Sequence, residues 1–512
     1  MAISAFFSDY SIWQMNAISF IILLFILYYA WILLINRFSN NPRSPPLPPG
    51  PTGLPIVGSL LSLDPELHTY FAALAHTHGP IFSLRLGSKL GVIISSPSTA
   101  REVLKDQDII FANRDVPIAG KIVTYGGSDI VWNPYGTEWR MLRKVCVREM
   151  LSGTTLDSVY DLRRKEIRKT VNNLWVHGGS PVDVGEEMFM TMMNVITNML
   201  WGGGDGKEEV GTEFRHVVAE ITALLGKPNL SDFFPGLAKF DLQGVVKDMK
   251  ILAQKFDKIF DSIIDERLSG NNQNKSKDFL QVLLNLKEEG NANMPLTMIH
   301  IKALLMDMVV GGTDTTSNSI EFALSEMINS PEVMKKAQQE LESVVGLDHI
   351  VEESHIHQLP YLHAVMKETL RLHPALPLLV PHCPSKSCIV GGYSIPEGSR
   401  VFVNVWAIHR DPSIWKDPLK FDPERFTGLK GDYNVTEFNY FPFGSGRRIC
   451  AGIGMAERMF LFLLASLVHS FEWKVSDGEK LDIEEKFGIV LKKKKPLMAI
   501  PTSRLSKQVL YE

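Results

Sequence analysis

One short glycine-rich segment near the carboxyl terminus constrains the fold of this chain more than any other feature. Residues 443–452 read FGSGRRICAG, and an apolar helical pattern, Gly454–Phe471, follows them. Glycines in such a turn permit tight backbone and the close approach of a large flat ligand. The amide groups at the start of the following helix favour a thiolate at Cys450. Arg448, two residues earlier, can reach an anionic group at the ligand's edge.

Competing interpretations of the cysteines and glycines are weak. A dinucleotide-binding turn at residues 444–446 needs a preceding strand and a following acidic residue, and the sequence predicts neither. The other cysteines, Cys146, Cys383 and Cys388, are too scattered for a disulfide framework or a four-ligand zinc site. The net charge is −4, whereas nucleic-acid-binding proteins usually carry an excess of basic residues, so this class of function is excluded.

An uncharged apolar stretch, Ala17–Ile35, has about the length that one helix needs to cross a bilayer. A cleaved signal peptide would carry positive charge before a shorter apolar run. Here the charge before the stretch is Asp9, and Arg37 and Arg43 follow it, which favours an uncleaved anchor with a cytosolic body. We therefore expect a lumenal amino terminus at 1–16, a transmembrane signal-anchor helix at 17–36, a proline-rich hinge at 37–58 and a catalytic domain at 59–512.

The body of the chain reads as mainly helical with a minor sheet. Helices are predicted at Glu138–Met150, Leu156–His177, Gly211–Leu225, Gln243–Leu268, Thr297–Ile328, Pro331–Val345, Leu359–Leu372 and Gly454–Phe471. Strands are predicted at Ile81–Leu86, Gly91–Ser95, Ile389–Ile395 and Arg400–Val405. Polar breaks at 203–208 and 271–277 are typical of surface loops.

The cysteine segment resembles the F-x-x-G-x-R-x-C-x-G loop of the cytochrome P-450 haem-thiolate monooxygenases. Five specified positions recur by chance on the order of once per million windows. The resemblance spans nearly the whole chain and implies the mainly α fold of that family with a minor β-sheet region. It makes Cys450 the proximal ligand of the iron of haem b and Arg448 a propionate contact. Three other residues of the loop would bind haem or shield the sulfur: Phe443, Gly444 and Gly452.

Further matches to the family lie in other helices. By resemblance, Trp139 and Arg143 bind a haem propionate, and His382 is another propionate contact. Glu368, Arg371 and Arg425 resemble the family's buried network, to which we assign folding around haem. An isolated pair of Glu368 and Arg371 would otherwise be a solvated salt bridge of small value.

The segment GGTDTT, residues 311–316, lies deep inside a predicted helix, where adjacent glycines cost roughly 1 kcal/mol each. The family offers a reason, which is space for dioxygen over the iron. Asp314 and Thr315 would then deliver protons to the oxygen. A helix whose hydroxyls bond back to its own carbonyls is the alternative.

The substrate pocket is expected to be mostly aliphatic, as suits a hydrophobic small molecule. Asp307 either bonds a substrate hydroxyl or is satisfied by neighbouring helices, and both interpretations stay open. The expected pocket residues are Met306, Asp307, Val310, Gly311, Leu376, Leu379 and Val490.

The resemblance implies an endoplasmic reticulum monooxygenase that uses O2 and takes electrons from NADPH-cytochrome P-450 reductase, with cytochrome b5 as an optional second donor. Its substrate would be a hydrophobic plant specialised metabolite, a terpenoid (sesquiterpene) in the first place or a flavonoid in the second, hydroxylated or epoxidised. The rivals are a non-oxygenating isomerase or dehydratase and a non-catalytic haem carrier, and the intact acid–alcohol pair disfavours both. Arg140, Lys144 and Arg148 form either a solvated helix face or a dock for an acidic electron donor. Membrane lipid is an expected partner, and nucleic acid is not.

Overall fold

The computed structural model describes residues 19–20, 22–23, 25–30, 45–202, 208–269, 278–290, 295–427, 437–475 and 480–512. The expected lumenal segment, 1–16, lies outside the described residues. So do much of the predicted membrane helix, 17–36, the first part of the hinge and nearly all of both polar breaks.

Helices dominate the described chain, as the sequence predicts. They are α1 (Leu67–His78), α2 (Pro97–Arg101), α3 (Ile118–Val123), α4 (Thr137–Val145), α5 (Gly153–Ser158), α6 (Tyr160–Val176), α7 (Val184–Trp201), α8 (Glu208–Gly226), α9 (Leu230–Phe233), α10 (Val245–Leu268), α11 (Phe279–Glu289), α12 (Met298–Asn329), α13 (Pro331–Val344), α14 (Pro360–Leu372), α15 (Val405–Ile408) and α16 (Ile453–Ser470). Wider π-helical turns, Glu102–Asp106 and Cys146–Met150, extend α2 and α4.

The strands are short and lie at the margins of the helical body. They are β1 (Ile81–Leu86), β2 (Lys89–Ile94), β3 (Asn113–Arg114), β4 (Val182–Asp183), β5 (His382–Cys383), β6 (Cys388–Val390), β7 (Tyr393–Ile395), β8 (Arg400–Val403), β9 (Phe471–Lys474), β10 (Glu485–Lys486), β11 (Lys492–Lys493) and β12 (Met498–Ser503). The largest sheet has the order β1-β2-β8-β5-β3, in which β2 and β8 are parallel and the other pairs antiparallel. A three-stranded sheet, β4-β12-β9, and two hairpins complete the set.

Helix α12 forms the centre of the molecule. Its amino terminus is capped by Thr297, whose hydroxyl accepts the His300 N–H, and most of its residues are buried. It packs against α7 on one side and α16 on another. Since α16 follows the cysteine turn directly, this packing places the turn beneath the middle of α12.

The mainly helical fold is confirmed, but three helices of more than ten residues, α1, α7 and α11, were not predicted, and neither were the short helices α3, α9 and α15. The predicted strand at Ile389–Ile395 is instead a hairpin, because Gly391 and Gly392 both adopt positive φ and reverse the chain. Within the described residues, α16 is the helix long and apolar enough to span a membrane, and it is mostly buried inside the protein.

Candidate active site

The turn that carries Cys450 is closed by its own backbone. The Cys450 N–H donates to the Phe443 carbonyl at 3.1 Å, and Gly444 and Gly446 have φ values of 71° and 70°. A Cβ atom at Gly446 would lie 2.1 Å from the Leu104 carbonyl oxygen, so a side chain has no room there. The turn thereby holds the sulfur at the floor of an internal cavity.

The thiol of Cys450 is not ionised by the helix terminus alone. Burial raises its pKa, while the Gly452 N–H, 3.3 Å from Sγ, and the Arg143 guanidinium oppose that rise only in part. Desolvation of the thiol therefore outweighs the stabilisation of the thiolate by the amide group and the guanidinium. A bound metal cation would supply the missing charge, because coordination deprotonates a thiol outright.

The cavity above the sulfur has a volume of about 300 Å³. The cysteine turn forms its floor and α12 forms its roof. Side walls come from the loop before α4 and from the segment between α14 and β5. Among the residues that line it are Ile130, Val131, Asp307, Met308, Gly311, Thr315, Leu376, Leu379, Val380, Phe443, Gly444, Cys450 and Gly452.

Four cationic or potentially cationic side chains converge on one edge of this cavity. They are Arg114, Arg143, His382 and Arg448, and all four line it. Arg448 donates to the Ile130 carbonyl at 3.0 Å, Arg143 to the Ile449 carbonyl at 2.6 Å, and the His382 Nδ1 pairs with the Phe111 carbonyl at 2.8 Å.

These side chains are poorly compensated by negative charge. Burial, with repulsion from Arg448, lowers the pKa of Arg114 to about 9, and burial lowers that of Arg448 to about 10. Burial also holds the pKa of His382 well below its usual value, so this ring is neutral. The Nε of Arg114 is buried and bonds to nothing in the described part of the chain. An anionic ligand would remove this imbalance.

Haem fits these requirements. Its two propionates would face the buried guanidinium groups of Arg114, Arg143 and Arg448, and its iron would face the Cys450 sulfur. The aliphatic side chains of the walls suit the apolar face of a porphyrin. The donor chemistry of the site therefore agrees with a flat dianionic cofactor that carries a soft-ligand metal.

The two adjacent glycines of α12 have different surroundings. A Cβ atom at Gly311 would meet no atom within 4 Å, because this residue faces the cavity. A Cβ at Gly312 would lie 2.8 Å from the Ile196 Cδ1 atom of α7. Gly311 thus leaves space above the cysteine, and Gly312 permits the close packing of two helices.

Asp314 and Thr315, the predicted acid–alcohol pair of α12, do not both face the cavity. Thr315 lines the cavity, and its hydroxyl donates to the Gly311 carbonyl at 2.8 Å. Asp314 is buried away from the cavity lining, and its Oδ2 lies 2.9 Å from the Lys492 Nζ atom. If the two residues deliver protons together, a proton must pass from Asp314 to the cavity through another group.

Three predicted pocket residues do not line the cavity. Cavity-facing positions of α12 are 307, 308, 311, 312, 315, 316 and 319, which follow the helical period. Met306 and Val310 each precede a cavity-facing position by one residue, so they lie on another part of the helix surface and pack into the core instead. Val490 borders a second cavity, between the segments 57–67, 222–230 and 486–492. The predicted positions Asp307, Gly311, Leu376 and Leu379 do line the main cavity.

Trp139 lies behind the cationic edge and is not part of the cavity wall. Its indole N–H donates to the Ile130 carbonyl at 3.0 Å, and the Arg448 guanidinium sits 4.6 Å from the ring centroid. In this arrangement Trp139 orients Arg448 and the loop at Ile130.

Glu368, Arg371 and Arg425 form a buried cluster outside the cavity. The Arg371 guanidinium makes two bonds to the Glu368 carboxylate, at 2.7 and 2.8 Å, with both side chains fully buried. Arg425 Nε lies 3.3 Å from the same carboxylate. Arg371 also donates to the His409 and Pro418 carbonyls. The cluster ties α14 to the chain that leads into the cysteine turn.

Sequence reasoning missed Arg114 and Asp129. Arg114 lies on the two-residue strand β3, and nothing near it in the sequence indicates a ligand-binding role. Asp129 belongs to an irregular loop and meets its partner, Asp307, across the fold. A pairing of this kind leaves no local pattern in a single sequence.

A helical body that presents one cysteine sulfur beneath a cavity edged with buried guanidinium groups defines a haem-thiolate protein. The profile of the cytochrome P450 family matches residues 48–500, and the chain belongs to this family. A flavonoid 3'-monooxygenase of Crocosmia x crocosmiiflora is 40% identical over 94% of this chain and 98% of its own length. A geraniol 8-hydroxylase of Catharanthus roseus is 42% identical over 93% and 97%. A zebrafish cytochrome P450 structure with progesterone superposes with a TM-score of 0.74 at 25% identity, over 86% of this chain and 100% of that one.

Family membership confirms the expected class of activity and cofactor. The chain is a monooxygenase, an oxidoreductase that uses haem bound through a cysteine thiolate together with O2. Its electrons come from NADPH through a reductase.

Proposed function

We propose that this monooxygenase hydroxylates or epoxidises a hydrophobic plant specialised metabolite, with a terpenoid as the first candidate class. The observation that carries this choice is the lining of the cavity away from Cys450. The wall there is built from branched and linear aliphatic side chains, namely Ile130, Val131, Ile196, Met308, Leu376, Leu379 and Val380. A flexible or alicyclic hydrocarbon buries its surface well against such groups.

A flavonoid is the second candidate, because several similar proteins are flavonoid hydroxylases. Planar phenolic substrates usually gain from aromatic neighbours and from well-placed hydrogen-bond partners. The aromatic residues that line the described cavity, Phe443 and Phe460, belong to the cysteine turn and α16. They lie on the floor, so the distal wall offers a flavonoid no ring to stack on.

The chain's own residues have separable roles in the reaction. Cys450 would hold the iron of a bound haem, and Arg143, Arg448 and His382 would hold its propionates, with Arg114 beside them. Phe443, Gly444 and Gly452 shape the turn around the sulfur. Bound haem supplies dioxygen activation, to which a thiolate ligand contributes electron density. Gly311 leaves open space in the cavity that Cys450 also lines, and the aliphatic wall would exclude water from that space.

Proton delivery is assigned to Thr315 and Asp314. The Thr315 hydroxyl can hold a water molecule in the cavity. Asp314 would receive protons from solvent near Lys492, with which it is paired. Because Lys492 is only partly buried and borders the second cavity, the Asp314–Lys492 pair is a route between solvent and the buried helix.

NADPH-cytochrome P450 reductase is the proposed electron donor, with cytochrome b5 as an optional second donor. Arg140, Lys144 and Arg148 are all exposed and lie on one face of α4 and its extension. The same helix carries Arg143 to the cavity edge. An acidic protein surface docked on this face would therefore approach the cofactor closely.

A single-pass anchor at 17–36 is proposed to hold the domain on the cytosolic face of the endoplasmic reticulum. Exposed apolar side chains support a membrane-facing surface, which we define as Leu54, Ile56, Leu61, Leu237, Phe240 and Leu242. Leu54 and Ile56 lie within the proline-rich hinge and Leu61 lies just after it, and residues 46–49 of that hinge bond to Ser83 and Ser394. These bonds would fix the body relative to the anchor.

The proposal is tested by co-expression with a plant reductase in a host that lacks other plant oxygenases. Cells are fed a sesquiterpene, geraniol and a flavanone in parallel, and products are identified by mass spectrometry. A Cys450→Ala chain is the matched negative control. Oxygenated terpenoids that depend on Cys450 are the expected result. A flavonoid product alone would overturn the first candidate in favour of the second.

A further inference from the structure

Two carboxyl groups, those of Asp129 and Asp307, lie close together beside the cationic edge of the cavity. Asp129 lies in the loop between α3 and α4 and is fully buried. Its Oδ1 accepts the N–H groups of Trp132 and Asn133, at 3.0 and 3.2 Å. Its Oδ2 is buried and finds no donor among the described residues, and the Asp307 carboxyl of α12 lies close enough to interact with the Asp129 carboxyl.

Asp307 completes the contact from the helix. Its Oδ2 accepts the Ile130 N–H at 2.8 Å, and the residue lines the cavity. Two buried carboxylates in contact repel each other strongly, so the two groups cannot be ionised at the same time. An O–H group on one of them would remove the repulsion and donate to the acceptor that is otherwise unsatisfied.

The surroundings decide which residue holds the proton. Burial raises the pKa of Asp129 to about 6, and two accepted backbone N–H groups and the nearby guanidinium groups of Arg114 and Arg448 limit that rise. Asp307 accepts one N–H group and faces the Cys146 thiol. Burial and the neighbouring Asp129 carboxylate raise the pKa of Asp307 well above its usual value.

We infer that Asp307 is a positioning residue that shares one proton with Asp129 and thereby locks the loop at Ile130 and Val131 onto α12. Both loop residues line the cavity, so the lock sets the shape of the distal wall. The Ile130 carbonyl also accepts the Trp139 indole N–H and an Arg448 N–H, each at 3.0 Å. One residue therefore connects the substrate wall with the cationic edge.

This arrangement bears on the role of Asp307 toward substrate. The Oδ2 atom of Asp307 accepts the Ile130 N–H, and the Asp307 carboxyl also interacts with that of Asp129. A substrate hydroxyl would have to displace one of these partners. Asp307 then acts on the substrate through the loop that it holds, and the inference is independent of the substrate's class.

Asparagine at position 307 mimics the protonated acid, because its amide can donate to Asp129 and accept from the Ile130 N–H. Asp307→Ala removes both interactions. Asp278→Asn is the matched control, since Asp278 is similarly buried but bonds Arg267 at 2.7 Å, in a different part of the molecule. Hydrogen exchange of the amides in residues 129–133 is measured in the haem-loaded enzyme between pH 6 and 9, with correction for intrinsic exchange.

In the parent chain the protection of these amides should fall as pH rises through the raised pKa of the pair, by up to about tenfold per pH unit. Asp307→Asn should keep the protection and lose its pH dependence, whereas Asp307→Ala should lose protection at every pH. Asp278→Asn should leave the protection at 129–133 and its pH dependence as in the parent. An Asp307→Asn chain that behaves like Asp307→Ala, or that keeps the parent's pH dependence, would overturn the inference.

Discussion

Lys492 Nζ lies 2.9 Å from Asp314 Oδ2, which ties the acidic residue of α12 to strand β11. Asp314 is almost fully buried, whereas the Lys492 side chain is 38% exposed. Loss of either partner leaves the other without its ion pair, but the exposed lysine can return to water and the aspartate cannot. The pair is therefore asymmetric.

Lys492→Met should destabilise the protein more than Asp314→Asn, and the double variant should recover part of the loss. Because solvent screens the lysine, the coupling free energy should be about 1 kcal/mol. Denaturant unfolding of the four haem-loaded chains measures it. Strictly additive changes in the free energy of unfolding would show that the two groups do not interact.

Thr315→Val should uncouple electron consumption from product formation. Valine keeps the shape of threonine but removes the hydroxyl that faces the cavity, so NADPH oxidation should continue while more of it yields hydrogen peroxide. Thr313→Val is the control, because Thr313 bonds the Val309 carbonyl in the same way but is fully buried away from the cavity. Product and peroxide per NADPH are measured together, and equal uncoupling in both variants would contradict the assigned role.

Gly312→Ala and Gly311→Ala should differ in effect. The new methyl at 312 would press on the Ile196 Cδ1 atom, at a cost of about 1–3 kcal/mol that Ile196→Val should relieve. The methyl at 311 enters open space, so stability should rise by up to about 1 kcal/mol while turnover falls. Thermal unfolding and product formation are measured for both variants. A larger loss of stability in Gly311→Ala than in Gly312→Ala would contradict the assigned roles of the two glycines.

Charge reversal on the exposed face of α4 should weaken electron transfer. Arg140→Glu with Arg148→Glu should raise the reductase concentration needed for half-maximal turnover by about tenfold at low salt, and less at high salt. Lys247→Glu with Lys250→Glu on α10 makes the same change in net charge at other exposed positions. If both double variants lose reductase-dependent turnover equally, the donor does not dock on α4.

The sequence predicted those parts of the site whose residues lie close together along the chain. The cysteine turn, the GGTDTT segment and the Glu368–Arg371 pair each lie within one short stretch, and the structure places each on the predicted element. Met306 and Val310, which we expected in the pocket, do not line the cavity, because the residues that face a cavity depend on the rotation of a helix about its axis. That rotation is determined by packing against α7 and α16, which no local pattern records.

Helix α7 escaped prediction for a related reason. Its buried residues cover more than half of the helix circumference, including Phe189, Thr191, Met193 and Val195, so its sequence lacks a clear polar stripe. Arg114 and Asp129 were missed because their partners are distant in the chain. Contacts of this kind become visible only in three dimensions.

The central claim is that the Cys450 sulfur binds haem iron as a thiolate. The direct measurement is the absorption spectrum of the purified, haem-loaded protein after reduction and addition of carbon monoxide. A strongly red-shifted Soret band, which is specific to thiolate-ligated iron, is predicted for the parent chain and should be absent from Cys450→Ser. A folded parent protein that binds haem and carbon monoxide but lacks this band would contradict the account.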